Sequence, residues 1–220
     1  MTKLFNAYSL LFASSIILMM SCQNKKTTTD TMTTKQHLEA EAKTIENMQS
    51  AYKGEVTAVA KYAAFSKKAE EEGYHKIALL YNAVSAAENI HSMNHKMVIE
   101  DAGATVPSIK PEFTVKTTKE NLHDDIEGEA YEATAMYPEF LKTAETAGNE
   151  IASLSLTYAM KTEKKHKFFF EQVLGDINSN TLNSMPSTYF VCLVCGNTYS
   201  TAPKHRDFSL TDRIKFIKFE

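Results

Sequence analysis

Two segments of the chain repeat one another and impose a helical arrangement on much of it. They are "AEEEGYHKIALLYNAVSAAENIH" (69–91) and "AETAGNEIASLSLTYAMKTEKKH" (144–166). Each copy starts with Ala-Glu, passes a glycine and ends in Glu-x-x-His, whose glutamate lies fifteen residues beyond that glycine. Because glycine closes helices by adopting a left-handed conformation, each copy predicts a helix end, a turn and a following helix. Two copies predict a fold with twofold pseudo-symmetry.

Hydrophobic periodicity places these segments within four long helices. Apolar residues recur at three- and four-residue steps through residues 35–73, 74–101, 117–147 and 149–174, as the buried stripe of a helix requires. Between the second and third helices, "PSIKPEFTVK" contains two prolines, which favour an extended crossover. Short, long and short connections predict an all-α, ferritin-like four-helix bundle with one long crossover, within residues 35–177.

The composition suits a globular protein and argues against nucleic-acid binding. The 220 residues are 43% hydrophobic and 23% charged, with only 7 Gly and 5 Pro, so the chain has the makings of a sizeable core. The formal net charge is −3, and no basic stripe occurs locally. Nucleic acid is therefore not an expected partner.

The N-terminal segment is expected to be an export signal rather than part of the fold. Lys3 is followed by an apolar run, Leu4–Met20, and then by Ser21 and Cys22. The run is short for a membrane span, which needs about 20 residues. Residues 1–21 resemble a bacterial lipoprotein signal with Cys22 as the lipidated N-terminus, and soluble secretion is the alternative. The expected location is the periplasmic side of the cell envelope, with a lipid anchor in the membrane.

The segment after the predicted signal has no apolar face to bury. Residues 22–34 are polar and rich in threonine. This composition predicts a flexible linker between the anchor and a folded part that begins near Lys35.

Charged residues inside the periodic segments predict a two-metal site. The two residues of each Glu-x-x-His pair lie about 60° apart around a helix, so both side chains project to the same side. One such pair is common on a solvated helix face, but here two occur at matching positions of a repeat. The first and third helices also carry glutamates, and buried carboxylates need a neutralising cation. The expected ligands are Glu55, Glu88, His91, Glu129, Glu132, Glu163 and His166.

The donor set favours particular metals. Oxygen-rich ligands with two imidazoles favour iron or manganese over zinc, whose structural sites prefer sulfur and four-coordination. One glutamate from each of two helices and Glu-x-x-His from each of the other two is the pattern of di-iron carboxylate bundles. The pattern therefore predicts two adjacent metal ions inside the bundle.

From about Gln36 to its C-terminus the chain resembles a rubrerythrin. The matching stretches are "KGEVTAVAKYAAFSKKAEEEGY", "AAENIHS", "NLHDDIEGEAYEATAMYPEFLKTAE", "TEKKH" and "YFVCLVCGNTY". The resemblance implies two iron ions held by the seven expected ligands, and a peroxidase that reduces hydrogen peroxide to water. It also implies that Tyr62 and Tyr137 act around the iron site as catalytic residues, with core packing as the alternative. A homodimer is expected, with or without exchange of helices between chains.

The tail, residues 178–220, departs from the family pattern. Rubrerythrins typically end in a rubredoxin-like domain with one iron on four cysteines from two Cys-x-x-Cys knuckles. Here Cys192 and Cys195 form the first knuckle, whereas Arg206 and Ser209 stand where the second would be. A four-cysteine iron centre cannot form within one chain, so the tail is expected to be a degenerate, β-rich, rubredoxin-like domain.

The incomplete knuckle leaves three alternatives for Cys192 and Cys195. They could form a residual or intermolecular metal site, a disulfide, or two separate thiols, and export to an oxidising compartment favours the disulfide. A peroxidase with this tail must take its electrons from an external donor, which the sequence does not identify. The competing functions are an iron-binding or ferroxidase-like protein without sustained turnover, and a structural lipoprotein whose carboxylates bind nothing.

Overall fold

Long helices account for most of the residues described in the computed structural model. They are α1 (Gln23–Glu71), α2 (His75–Asp101), α3 (Thr118–Tyr131), α4 (Tyr137–Thr146) and α5 (Glu150–Ser179). A π-helical segment, Glu132–Met136, joins α3 to α4 with helical backbone angles at both of its ends. Together these three elements form the third long helix, which confirms the predicted four-helix bundle.

The structure describes residues 23–203 and 216–220, with side chains from residue 33 onward. The predicted signal peptide (1–21), Cys22, Arg206 and Ser209 lie outside these residues. Within the described ranges, no helix combines the length and apolarity needed to cross a membrane.

Helix α1 begins earlier than the sequence indicates. The composition predicts a flexible linker at residues 22–34, whereas the chain is helical from Gln23. A polar composition shows that these residues have no apolar face, but it does not exclude helix, because extending an existing helix adds a hydrogen bond for each residue fixed. A boundary between two units of the chain falls between His37 and Leu38, within α1.

The repeat is visible as two equivalent helix ends. Gly73 and Gly148 both adopt left-handed backbone angles, with φ of +82° and +62°. The amide of the residue after each glycine donates to the carbonyl of the repeat's first alanine, 2.8 Å away at Ala69 and 2.9 Å away at Ala144. This is the hydrogen bond of a glycine-capped helix end. Both alanines are fully buried, so the two helical hairpins begin from the same kind of packed turn.

The bundle core consists of two clusters of buried side chains. Each cluster includes a tyrosine, Tyr62 or Tyr137, that donates to one of the predicted glutamate ligands. The acidic residues therefore lie where the two apolar clusters meet. The large members of the first cluster are Tyr62, Phe65, Tyr81 and Phe170, and those of the second are Met48, Ile99, Tyr137 and Leu156.

The C-terminal tail forms a small antiparallel sheet, as predicted. Its strands are β1 (Tyr189–Cys192), β2 (Thr198–Tyr199) and β3 (Phe216–Phe219), in the order β2-β1-β3. Phe190 pairs with Tyr199 on one side and with Lys218 on the other. The Cys-x-x-Cys sequence begins at Cys192, the last residue of β1, and continues into the turn before β2. Both β1 and β2 contact α2.

Candidate metal centre

Six of the seven expected ligands converge inside the bundle. They form two groups, and within each group the candidate ligand atoms all lie within 4.8 Å of one another. Every member is at most 2% exposed, so the groups are shielded from solvent. The first group is Glu55, Glu88, His91 and Glu163, and the second is Glu88, Glu129, Glu163 and His166.

Glu88 and Glu163 belong to both groups and connect them. One carboxylate oxygen of Glu88 lies 2.8 Å from His91 Nδ1 and the other 3.0 Å from His166 Nδ1. Glu163 repeats this, with one oxygen 3.0 Å from His91 Nδ1 and the other 2.9 Å from His166 Nδ1. Each shared carboxylate thus offers one oxygen to each half of the site. Two neighbouring cations would each find one oxygen of Glu88 and one of Glu163 here, and the helical repeat explains the symmetry of this arrangement.

Several atoms of the site lack hydrogen-bond partners although they are buried. Among the described residues these include both carboxylate oxygens of Glu163, Glu129 Oε2 and His166 Nδ1. A buried polar atom without a partner costs free energy, and native proteins contain few of them. These atoms belong to the two ligand groups. A metal ion in each group would satisfy them, so the residues fit a two-metal cofactor.

Asp125 provides a contrast, because a lysine of the protein lies against this buried carboxylate. Lys61 Nζ lies 3.0 Å from Asp125 Oδ1, and the Tyr81 hydroxyl donates to Asp125 Oδ2 over 2.8 Å. A neutralising cation is therefore supplied by the protein itself. No equivalent lysine or arginine pairs with Glu88 or Glu163 among the described residues.

Burial and crowding shift the pKa values of these carboxyl groups. Burial, with Glu88 nearby, raises the pKa of Glu55 to about 8. Burial and neighbouring carboxylates also raise the pKa of Glu129 and Glu163 well above the ordinary range. Burial acts the same way on Glu88, but the two histidines outweigh it and hold the pKa of Glu88 low. The metal-free cluster therefore retains protons that a bound cation would displace.

Binding of iron(II) is expected to release protons and to weaken as the pH falls. Since the raised pKa of Glu55 lies near 8, this group is protonated in the metal-free protein at lower pH, and protons compete with the metal. The affinity should rise between about pH 6 and pH 8. Titration with iron(II) in weak buffer containing a pH indicator, together with dissociation constants across that range, measures both effects. Binding without proton release and with a constant affinity would contradict this prediction.

Each of the two predicted tyrosines donates to a glutamate that lies on the other tyrosine's helix. Tyr62 of α1 donates to Glu129 Oε1 over 2.5 Å, and Tyr137 at the start of α4 donates to Glu55. Each helix thus supplies a glutamate to one half of the site and a tyrosine to the other. Burial, and then the adjacent carboxylates, raise the pKa of both hydroxyls well above the ordinary value, so both remain donors.

The π-helical segment compensates for an unequal spacing between these residues. Seven positions separate Glu55 from Tyr62, whereas eight separate Glu129 from Tyr137. Two turns of α-helix correspond to about seven residues, so one extra residue must be absorbed before Tyr137 can match Tyr62. The wider turn of Glu132–Met136 absorbs it, and such turns are frequent at functional sites.

Glu132, the seventh expected ligand, lies in this π-helical segment and outside both ligand groups. It is partly exposed, unlike the other six. Burial of the carboxyl group, with Glu55 and Glu88 nearby, raises the pKa of Glu132 to about 8. Glu132 is thus close enough to interact with the site electrostatically without belonging to its central cluster.

The C-terminal tail supports both histidine ligands from outside. The Nε2–H of His91 donates to the backbone carbonyl of Cys195, 3.1 Å away, and His166 Nε2 lies 3.1 Å from Thr198 Oγ1. Such outer hydrogen bonds orient a ligating imidazole and leave the other ring nitrogen for the metal. Cys192 and Cys195 are buried in this turn, and no disulfide joins them in the structure. The sequence shows Thr198 only as a strand residue and does not indicate a role at the site.

His95 is a site residue that sequence reasoning missed. It lies one helical turn beyond His91 on α2 and is fully buried. Its ring nitrogens contact Ser155 and Tyr137. The spacing of four residues from His91 is the one signal that could have indicated this position, since residues four apart share a helix face.

Comparison with known proteins identifies the family. The rubrerythrin family model matches residues 46–174. The chain belongs to the rubrerythrin family. Nigerythrin of Nitratidesulfovibrio vulgaris is 34% identical over 155 residues, which cover 70% of this chain and 74% of nigerythrin. Rubrerythrin-2 of Clostridium acetobutylicum is 32% identical over 161 residues, which cover 71% of this chain and 85% of that protein.

Solved structures agree with this assignment. The structure of nigerythrin in its fully reduced, all-ferrous state superposes with a TM-score of 0.69 and 30% identity, covering 80% of this chain and 86% of nigerythrin. Rubrerythrins and nigerythrin carry di-iron centres, and the buried glutamate and histidine cluster of this chain is able to bind metal. The cofactor of this rubrerythrin is therefore a di-iron centre.

Proposed function

We propose that this rubrerythrin is a di-iron peroxidase of the cell envelope that reduces hydrogen peroxide to water with electrons from an external donor. The observation that carries the proposal is the pair of overlapping ligand groups joined by Glu88 and Glu163. Reduction of peroxide consumes two electrons and two protons and yields two molecules of water. Two adjacent irons supply the two electrons when bound.

The protein's own residues hold the site together and control its surroundings. Glu88 and Glu163 would hold both irons, and His91 and His166 would hold one each. Tyr62 and Tyr137 orient Glu129 and Glu55 by donating hydrogen bonds to them. Burial of these residues excludes water, which strengthens every electrostatic interaction inside the site.

Glu132 is the carboxylate available to move when the metal charge changes. It lies beside the cluster and outside both ligand groups, so it is not already committed to either metal position. A higher positive charge at the metals attracts a further anion, so we assign Glu132 as the ligand whose binding depends on the oxidation state.

The proposal of an external electron donor is supported by the tail. Cys192 and Cys195 supply only half of a four-cysteine site. The sheet that carries them contacts both histidine ligands through Cys195 and Thr198, so it serves the metal centre as a support. The incomplete knuckle also favours a second candidate function, an iron-binding or ferroxidase-like protein without sustained turnover.

The location and the assembly are further parts of the proposal. The lipoprotein-type signal and Cys22 support a lipid anchor at the periplasmic side of the cell envelope. A homodimer is supported by apolar side chains that this chain leaves exposed on its helices. They are Met93 and Met97 on α2 and Ile151, Leu154 and Phe168 on α5.

Stopped-flow spectroscopy of the iron-loaded protein tests the peroxidase directly. The diferrous protein, prepared without oxygen, is mixed with hydrogen peroxide or with dissolved oxygen. We expect oxidation by peroxide to be faster, and we expect continued consumption of peroxide when an artificial reductant is supplied. Equal rates with both oxidants, or a single oxidation without further turnover, would instead support the ferroxidase-like function.

A further inference from the structure

A chain of buried hydrogen bonds extends from the metal site through His95. His95 Nδ1 lies 2.8 Å from Ser155 Oγ, and His95 Nε2 lies 3.2 Å from the Tyr137 hydroxyl oxygen. Tyr137 in turn donates to Glu55. Ser155 is 6% exposed and the other three residues at most 2% exposed, so the chain lies inside the protein.

The direction of these hydrogen bonds follows from the hydrogens available. Tyr137 has one hydroxyl hydrogen, and it donates this hydrogen to Glu55, which as a metal ligand can only accept. The Tyr137 oxygen therefore accepts from His95 Nε2–H. With the hydrogen of the neutral ring on Nε2, His95 Nδ1 accepts from the Ser155 hydroxyl.

The other half of the repeat has no such chain at the matching positions. Phe170 lies four residues after His166, as His95 lies four residues after His91. Leu80 precedes Glu88 by the same eight residues that separate Ser155 from Glu163. The ring centroid of Phe170 lies 5.6 Å from that of Tyr62, so an aromatic ring packs where the other half has an imidazole. The two halves match in their ligands and differ in what supports them.

We propose that His95 is a positioning residue of the di-iron centre, which fixes the Tyr137 hydroxyl on Glu55. Ser155 sets the tautomer of His95, His95 sets the orientation of the Tyr137 hydroxyl, and Tyr137 holds the carboxylate of Glu55. The Tyr62–Glu129 half relies on aromatic packing around Tyr62 instead. The kinetic part of its test rests on the proposed peroxidase function, whereas the metal-binding part does not.

Two substitutions of His95 separate hydrogen bonding from packing. His95→Phe installs the residue that the repeat carries at the matching position and removes both ring nitrogens. His95→Gln keeps an amide N–H that can reach Tyr137. Iron(II) affinity, measured by anaerobic titration, is expected to fall about tenfold at one of the two positions in His95→Phe, in the range typical of losing an outer hydrogen bond to a metal ligand. His95→Gln is expected to stay within about threefold of the wild-type affinity.

A double-mutant cycle tests the link to Tyr137. Since His95→Phe and Tyr137→Phe break the same chain, the double variant should bind iron no more weakly than Tyr137→Phe alone. In His95→Phe combined with Tyr62→Phe, the losses of iron-binding free energy should add, because Tyr62 belongs to the other half of the site. If the bulky phenylalanine prevents folding, His95→Leu makes the same comparison with a smaller side chain.

The iron-affinity measurements test the role of His95 separately from the proposed peroxidase function. The positioning role would be overturned if His95→Gln lost as much iron affinity as His95→Phe. It would also be overturned if the fold losses of affinity in His95→Phe and Tyr137→Phe multiplied in the double variant. In the kinetic measurement, His95→Phe should slow single-turnover oxidation by peroxide while His95→Gln retains the wild-type rate. A wild-type protein inert to peroxide would refute the peroxidase, and the affinity cycle would still decide the role of His95.

Discussion

Replacing Glu163 by alanine is expected to abolish binding of both irons, whereas replacing Glu55 or Glu129 should remove only one. Glu163 offers one oxygen to each half of the site, so its loss leaves both positions incomplete. Glu55 belongs only to the group with His91, and Glu129 only to the group with His166. Iron content after anaerobic loading and removal of excess metal, determined by mass spectrometry, measures the difference.

Controls exclude unfolding as the cause of metal loss. Glu171→Ala alters an exposed glutamate on the same helix as Glu163 and should retain two irons. Removing one of several mutually repelling buried carboxylates should leave the metal-free protein at least as stable as the wild type. Thermal unfolding of the metal-free variants checks this. If Glu163→Ala retained one iron with wild-type affinity, Glu163 would not be shared between the two positions.

Replacing Gly196 by alanine is expected to separate the tail from the metal site. A Cβ at this position would lie 2.4 Å from His91 Nε2 and 3.0 Å from the Ala87 carbonyl oxygen, and the backbone has a φ of +73°. The left-handed conformation alone costs an alanine about 1–2 kcal/mol, and the forced shift of packed groups about 1–3 kcal/mol more. His91 would lose its hydrogen bond to Cys195, so iron affinity should fall by about 10–100-fold.

Gly175→Ala is the matched control for this substitution. Gly175 lies within α5, and a Cβ there would meet nothing within 4 Å. Alanine in the interior of a helix stabilises by about 0.5–1 kcal/mol relative to glycine. Hydrogen exchange of β1 and β2 reports whether the tail remains seated, and iron titration reports the effect on the site. Equal behaviour of the two variants would show that the tail does not support His91.

The sequence predicts the bundle and the central ligands because both follow from simple periodicities. The repeat places Glu88 and Glu163 at equal distances from Gly73 and Gly148, and helical spacing then aims each glutamate and its histidine to one side. The need to neutralise buried carboxylates leads from this pattern to two metals. The structure adds the fact that Glu88 and Glu163 are shared while Glu55 and Glu129 are not.

Other features have no comparable signal in the sequence. The support of His91 comes from a backbone carbonyl, at Cys195, and every residue possesses one. The contact of Thr198 with His166 depends on how the tail folds back on the bundle, and no local sequence pattern determines that. The π-helical segment shows only as one additional residue between Glu129 and Tyr137, which is visible once the two halves are aligned by their ligands.

His95 was missed for a related reason. The repeat draws attention to positions that match, and His95 corresponds to Phe170 and so has no counterpart. His95 is important because the two halves of the metal site differ. It links Ser155 to Tyr137, whereas the other half packs aromatic rings at the matching positions. The helical start at Gln23 was missed because composition reports burial rather than backbone conformation.

Anomalous diffraction at the iron edge from crystals of the iron-loaded protein tests the two-iron site most directly. We predict two peaks inside the bundle, one beside Glu55 and His91 and the other beside Glu129 and His166, with the carboxylates of Glu88 and Glu163 between them. A single peak, or iron at Cys192 and Cys195 with none among the glutamates, would contradict the two-iron site.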